Sequence, residues 1–291
     1  MAAVQGFSSN MASGSGRAGI YPHRYYLNPI LVRRILFIQE LAIIFNRMKM
    51  RPLLFLLIVF VFFSESCKKP GCIGNAGPVS SQQRPLQPFQ RLILEDNIDL
   101  ELIQADTTKI EIIAPENIIP NIQTIMVGDE LTISNDTECR WLRNTSEKIK
   151  ARLYFKNFEK FDYNGSGNVS NTDTIKLNAL YIKSDKGAGT IELTLEAAYT
   201  WTELFIENAN LILHGSSNGC YTFTNPRAQT DMSDFKVKDM DIIYSGLADT
   251  HIWVTDKLNA TIRYKGNVYY KGDPVITGTE FYSSGRLFKI P

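Results

Sequence analysis

The stretch Tyr163-Asn164-Gly165-Ser166-Gly167-Asn168-Val169-Ser170-Asn171 sets a glycine turn between two strand-like runs. Looser copies follow it: Gly187-Ala188-Gly189-Thr190-Ile191, Gly215-Ser216-Ser217-Asn218-Gly219, Ser245-Gly246 and Lys265-Gly266-Asn267-Val268. From Gly165 the steps to Gly187, Gly215, Gly246 and Gly266 are 22, 28, 31 and 20 residues. A unit of strand and turn repeated at 20–31 residues cannot bury its inner face alone, so its copies must stack to share a core. The spacing therefore predicts an all-β chain built as a β-solenoid of stacked strand–turn coils.

The runs between the turns fit that reading. Short β-prone pieces recur at Asp162-Tyr163, Asn168-Val169, 175–177, 180–183, 190–195, 201–206, 211–213, 221–223, 235–237, 242–244, 251–254, 259–264 and 268–270. Each coil is expected to hold one short strand, a polar turn and a second short strand. Gly, Asn, Asp and Ser stand where the chain turns, and turn-facing Asn and Thr can hydrogen-bond along the stack. Residues 279–290 are expected to cap or pair with the last coil.

A short N-terminal β section precedes the coils. Leu92 and Leu94, then Ile98, Leu100 and Leu102, alternate about the turn Glu95-Asp96-Asn97. Residues 109–113 form another strand. Residues 121–126 and 130–134 flank Gly128-Asp129 as a hairpin, and 136–146 is polar and loop-like. In 148–155, Lys148, Lys150, Arg152 and Tyr154 alternate with Ile149, Ala151, Leu153 and Phe155, which reads as a solvated face over a buried one.

The front of the chain carries an address. Met48-Lys49-Met50-Arg51 leads into Leu53–Phe63, an unbroken apolar run of 11, then Ser64-Glu65-Ser66-Cys67. A basic start, a short apolar run and small residues before a cysteine make a secretory signal. The run is too short for a spanning helix, which needs about 20 residues. The cysteine placed there resembles a bacterial lipobox, with Ser64 where Leu is commoner and Glu65 an unusual neighbour. That resemblance implies cleavage before Cys67 and its lipidation. Residues 48–66 are then the lipoprotein signal peptide and 1–47 an upstream mis-start; the alternative is a genuine extension with 30–45 on a membrane surface. Residues 67–88 are rich in Pro, Gly, Ser and Gln and read as lipid anchor and flexible tether, leaving 89–291 as the folded part.

Of the four cysteines, Cys67, Cys72, Cys139 and Cys220, lipidation of the first leaves three, so at most one disulfide forms. Cys139–Cys220 is open only if those coils stack; otherwise Cys220 reads as a small buried apolar residue. No C-x-x-C is present, against zinc and thioredoxin chemistry. A net charge of +1 offers no electrostatic footprint for nucleic acid, and His214 and His251 are the only histidines in the β region.

Candidate chemistry is sparse. Gly215-Ser216-Ser217-Asn218-Gly219 matches G-x-S-x-G, with Asp231 or Asp234 and His251 in hydrolase order, but β-prone Cys220–Thr224 follows where a helix is required. Asp231, Asp234, Asp239 and Asp241 form the densest acidic cluster, and with Lys236, Lys238 or Arg263 would cast a β-helix glycan lyase; Asp239 and Asp241 alternate with Met240 and Ile242 as a solvated strand face does. The Gly165–Gly167 and Gly187–Gly189 pairs lack the third glycine and helix of a phosphate loop. Tyr199, Trp201, Tyr221, Trp253, Tyr264, Tyr269 and Tyr270 could present a sugar-stacking surface or serve as cross-strand packing.

The order of Phe89 and its alternating strands, Asp129-Glu130-Leu131-Thr132-Ile133, Phe158-Glu159-Lys160-Phe161 and then Gly165-Ser166-Gly167-Asn168-Val169 resembles the head GIN domain family of Bacteroidota envelope lipoproteins. The resemblance spans about 89–288. It implies a right-handed β-helix-like solenoid and an adhesin label, and it brings no catalytic residue and no cofactor. The expectation is a non-enzymatic, lipid-anchored envelope protein at the outer membrane, binding a protein or glycan partner through a solenoid face. A periplasmic scaffold and a β-helix carbohydrate-active enzyme are the alternatives. Lys68-Lys69-Pro70 replaces the acidic residues that often follow the lipidated cysteine of surface lipoproteins, so the face of the membrane is left open.

Overall fold

The computed structural model describes residues 76–137, 148–205 and 208–291. The leader, the signal peptide, Cys67, Cys72 and Cys139 lie outside the described residues. The strands are β1 (Val79–Pro85), β2 (Arg91–Asp96), β3 (Ile98–Gln104), β4 (Lys109–Pro115), β5 (Ile122–Val127), β6 (Glu130–Asn135), β7 (Ile149–Phe155), β8 (Lys160–Gly165) and β9 (Val169–Asn171). Then come β10 (Ile175–Ser184), β11 (Thr190–Leu204), β12 (Asn210–Thr224), β13 (Gln229–Tyr244), β14 (Thr250–Ile262), β15 (Val268–Lys271), β16 (Val275–Phe281) and β17 (Leu287–Lys289). A single 3₁₀ turn at Ile119–Asn121 is the only helical element among the described residues.

The strands stack as a β-solenoid of about six turns. One wall runs through β6, β2, β8 and the second halves of β10 to β14, ending at β16. The other runs through β7, β3, β9 and the first halves of β11 to β14, then β15 and β17. All of these ladders are parallel. The expected hairpin pairs β5 with β6 antiparallel, with Gly128 at φ +63° in its turn. Strand β7 buries Ile149, Ala151, Leu153 and Phe155, as its alternation required. On its outer face Arg152 meets Glu101 at 3.0 Å and Glu111 at 3.6 Å, and Lys148 meets Asp99 at 3.5 Å, so the basic residues sit among acids.

Three details depart from the sequence reading. First, the repeat is tighter than the glycine steps. Thr190 stands over Asn210, Leu204 over Thr224 and Thr224 over Tyr244, each 20 residues on; Val268 stands over Leu287 after 19 and Tyr244 over Ile262 after 18. The glycine count overshoots because the corners at Ala209 and at Asn225–Ala228 carry no glycine, while Gly215 lies inside β12, in the bend on the other side of the coil. The Gly215–Gly219 segment is therefore not a copy of the Gly165 turn. Second, no polar turn divides the coils of β11 to β14, although Gly272-Asp273-Pro274 does separate β15 from β16. Strands β11 to β14 are continuous over 15, 15, 16 and 13 residues, and they bend at Gly215, whose φ is +103°, or at register shifts in β13. Third, 79–85 is not tether. It forms β1, which pairs antiparallel with β4 from Val79–Pro115 to Pro85–Lys109. As an edge strand with its side chains exposed it has no hydrophobic alternation to betray it. Arg84 pins it, donating to the Ile122 and Ile119 carbonyls at 2.6 and 3.0 Å.

The interior is a continuous column of side chains. Leu92, Phe161 and Ile182 continue into Thr202, Thr222, Ile242 and Ala260 along one wall. Each fully buried Leu, Ile or Phe contributes roughly 1.5–3 kcal/mol. Where the column is Thr, hydroxyls pair across rungs: Thr202 donates to Thr222 at 2.7 Å, and Thr230 and Thr250 lie 3.1 Å apart. Cys220 belongs to this interior as a buried free thiol, pushed up to about 12 by burial first and Asp241 second.

Candidate functional site

The glycine motif is the corner of one coil clamped between two others. The Ser166 amide donates to the Asp96 carbonyl at 2.6 Å, and the Asn168 amide donates to Asp99 Oδ1 at 2.8 Å. A Cβ at Gly167 would stand 2.0 Å from the Ile98 carbonyl oxygen, so only glycine lets the corner approach the coil below. Val169 is buried and pairs with both Leu100 and Ile191. Inside the corner, the Tyr163 hydroxyl donates to the Gly167 carbonyl and accepts from the Gly189 amide. Tyr244 repeats the device, donating to the Ala248 carbonyl at 2.5 Å. The Ser166 and Asn168 amides and the Gly167 carbonyl are thus consumed by the stack, which makes the turn a structural corner.

Function has to be sought on the outside. On the β2–β16 wall, Tyr181, Trp201 and Tyr221 stand over one another in register and continue into Asp241 and Asn259. Trp201 and Tyr221 lie 4.2 Å apart between ring centroids at 32°, and Tyr181 meets Trp201 edge-on at 6.2 Å and 79°. Tyr199 flanks them 6.4 Å from Trp201. Its ring rests above Gly219, where a Cβ would come 2.8 Å from Tyr199 Cδ2. Tyr199 is 42% and Trp201 37% exposed. Beside them opens a trough of about 380 Å³, floored by Ala179 and Leu180 and walled by Tyr181, Tyr199 and Trp201. Glu159, Lys160 and Glu203 stand at its rim. Glu203 accepts a hydrogen bond from the Tyr181 hydroxyl, whose pKa is pushed up by burial first and by that bond second. The Tyr199 and Tyr221 hydroxyls are also raised, mainly by burial.

A family model described as "Putative auto-transporter adhesin, head GIN domain" matches residues 88–274. The chain belongs to the head GIN domain family. Among solved structures, one described as a "putative adhesin" from Bacteroides fragilis is similar at 18% identity and a TM-score of 0.68, covering 73% of this chain and 97% of its own. A "putative adhesin" from Parabacteroides merdae is similar at 17% identity and 0.57, covering 74% and 97%. A "putative lipid binding protein" from Parabacteroides distasonis is similar at 18% and 0.53, covering 75% and 98%. These likenesses show the shared fold. No curated protein matches the chain.

The other sequence candidates of this head GIN chain do not converge. The bend in β13 splits the acidic cluster: Asp231 and Asp234 pair beside Ile212 and His214 on one wall, Asp239 and Asp241 beside Gly219 and Tyr221 on the other. Asp234 lies 3.8 Å from Lys271 and 3.9 Å from His214, and Asp239 lies 3.9 Å from Lys257, both carboxylates being exposed. Ser217 is buried, its hydroxyl donating to the Gly219 carbonyl and accepting from Thr200, whereas His251 is exposed and stacks on Tyr269 at 5.2 Å and 17°. The hydrolase order is not assembled. The aromatics also divide. Trp253, Tyr269 and Tyr270 sit on the opposite wall, Trp253 under Lys271 at 4.1 Å, while Tyr199, Trp201 and Tyr221 share the trough wall. Tyr181 and the rim residues escaped the sequence reading. Tyr181 stands 20 residues before Trp201, which is 20 before Tyr221, so the true repeat would have found it.

Proposed function

We propose that this protein is a non-enzymatic binding module of the cell envelope, held there by a lipid on Cys67, which engages its partner through the outer wall of the solenoid. The observation that carries the reading is the column Tyr181–Trp201–Tyr221, half-buried at its two tyrosines and exposed at Trp201, with the exposed Tyr199 beside it. Large rings on a strand cost solubility when left open to water, and a patch of them rimmed by charges is the usual chemistry of a contact surface. The adhesin description of the family and of its structural relatives supports the same reading. A solenoid suits it, because a rigid wall of parallel strands offers many weak contacts at fixed spacing without closing a cleft.

The test is photo-cross-linking in intact cells from p-benzoylphenylalanine at position 201, against the same group at position 150 on β7. The proposal expects a defined adduct from 201 and none from 150. Equal or absent adducts at both positions would refute it. Fatty-acid labelling that Cys67→Ala abolishes is the expected mark of the anchor; labelling that persists would remove Cys67 from that role.

A further inference from the structure

The trough beside the aromatic column has a chemistry that selects among partners. We infer that it is a carbohydrate subsite, taking one neutral pyranose ring of a longer glycan. The inference rests on the reading of this wall as the contact surface, and it names the ligand class.

The trough exists because of one small residue. Ala179 stands directly beneath Tyr199, and Lys160 beneath Tyr181, in the wall's register. A small side chain facing the Tyr199 ring leaves depth beside it; Tyr181, two residues on in the same strand, bounds the trough on that rung and Trp201 bounds it on the next. The volume of about 380 Å³ falls at the small end of ligand sites.

The lining then chooses the ligand. Its walls are aromatic and aliphatic, while its rim carries two carboxylates, Glu159 and Glu203, and one ammonium, Lys160. A purely apolar occupant, such as an acyl chain or a leucine-rich helix, would strip water from those charges and return nothing. An anion meets two carboxylates against one amine. A neutral pyranose satisfies both parts: its C–H face lies on aromatic carbon, and its hydroxyls donate to carboxylates and accept from an ammonium. The column extends the site. From Tyr181 through Trp201 and Tyr221 the strands step by about 4.8 Å with ring centroids 6.2 and 4.2 Å apart, and the column then turns polar at Asp241 and Asn259. A glycan laid along the stack passes from ring stacking to hydrogen bonding without leaving the column.

The experiment titrates the full chain, in detergent if lipidated, by calorimetry. The probes are neutral hexasaccharides of β-linked glucose, N-acetylglucosamine and mannose, with choline chloride and a poly-anionic heparin hexasaccharide beside them. Saturable binding of at least one neutral hexasaccharide at about 1 mM or tighter is expected. Trp201→Ala should weaken it at least tenfold. Ala179→Leu, which fills the trough and leaves every ring in place, should do the same with an unchanged melting temperature. Tyr269→Ala on the other wall should leave affinity within twofold. Binding of choline or heparin alone, binding that Ala179→Leu does not change, or no neutral glycan bound would each overturn the inference. If no glycan binds while position 201 still yields its adduct in cells, the carbohydrate assignment fails and the contact wall stands.

Discussion

The hydroxyl of Tyr163 donates to the carbonyl of Gly167 at 2.6 Å, closing the corner that the most specific motif of the sequence marks out. The same oxygen accepts the Gly189 amide from the next coil at 2.9 Å. One side chain thus ties two successive corners. Glycines surround it because a Cβ at Gly187 would lie 2.4 Å from the Tyr163 ring and one at Gly189 2.3 Å from its hydroxyl. Removing only the oxygen leaves a buried carbonyl and a buried amide unpaired. Tyr163→Phe should therefore cost about 1–3 kcal/mol, and Gly189→Ala, which overpacks the same space, about 1–3 kcal/mol. Denaturant unfolding of the two single variants and the double variant checks both. Because they act on one contact, the double should fall short of the sum.

Gly215 and Gly128 both have positive φ, at +103° and +63°, but only one is crowded. A Cβ at Gly215 would stand 2.1 Å from the Leu195 carbonyl oxygen, whereas Gly128 has nothing within 4 Å. Gly128→Ala should cost about 1–2 kcal/mol for its backbone alone. Gly215→Ala should cost about 3 kcal/mol or more, since strain and a backbone clash add. Similar losses in equilibrium unfolding would mean that the bend in β12 is not the point where the coil is held.

Tyr163 and Tyr244 are both pushed up to about 12, chiefly by burial. Below pH 10 these phenols are protonated folded or unfolded, and their contribution to stability is complete. Between about 10 and 12 the unfolded chain loses those protons while the folded one keeps them, so stability falls as pH rises. Cys220, also raised to about 12, adds to the same decline from pH 9. Melting temperature against pH should be flat near neutrality and fall across this alkaline window. The Tyr163→Phe/Tyr244→Phe variant should show a shallower fall, with the parts due to Cys220 and to the raised Tyr181, Tyr199 and Tyr221 hydroxyls remaining.

Thr224 stands between Leu204 and Tyr244 on the inner column, and its hydroxyl is buried with no hydrogen-bond partner among the described residues. Replacing that hydroxyl by a methyl group removes an unpaid desolvation and keeps the shape. Thr224→Val should raise stability by about 1 kcal/mol, read as a higher denaturant midpoint at unchanged slope. Thr202→Val, which breaks the 2.7 Å bond to Thr222, should lower it.

Much of this architecture was legible because strand alternation and glycine corners each have a local cause. Leu92, Leu94, Ile98, Leu100 and Leu102 alternate because one face is buried, and Gly128-Asp129 turns because glycine takes positive φ there. The repeat length was not legible from glycine alone. Corners at Ala209 and Asn225–Ala228 turn without it, and Gly215 serves a different bend. Strand β1 was hidden because its contribution is backbone pairing to β4, which leaves its side chains free of pattern. The aromatic wall was half visible. Tyr199, Trp201 and Tyr221 could be named as aromatic, but which wall they share, and that Ala179 opens a trough beneath Tyr199, depends on register between coils. The acidic cluster, weighed in the sequence against a solvated strand face, could not be placed for the same reason, since a bend inside β13 sends its four carboxylates to opposite walls.

The central claim is that the wall carrying Trp201 is covered by its partner in the envelope. Hydroxyl-radical footprinting tests it most directly, comparing the protein on isolated envelopes with the same protein after extraction. The account predicts that Tyr199, Trp201 and Tyr221 are protected on the envelope and become reactive on extraction, while Tyr282, 69% exposed at the far end of the stack, reacts equally in both. Equal reactivity of the three wall rings in both states would contradict it.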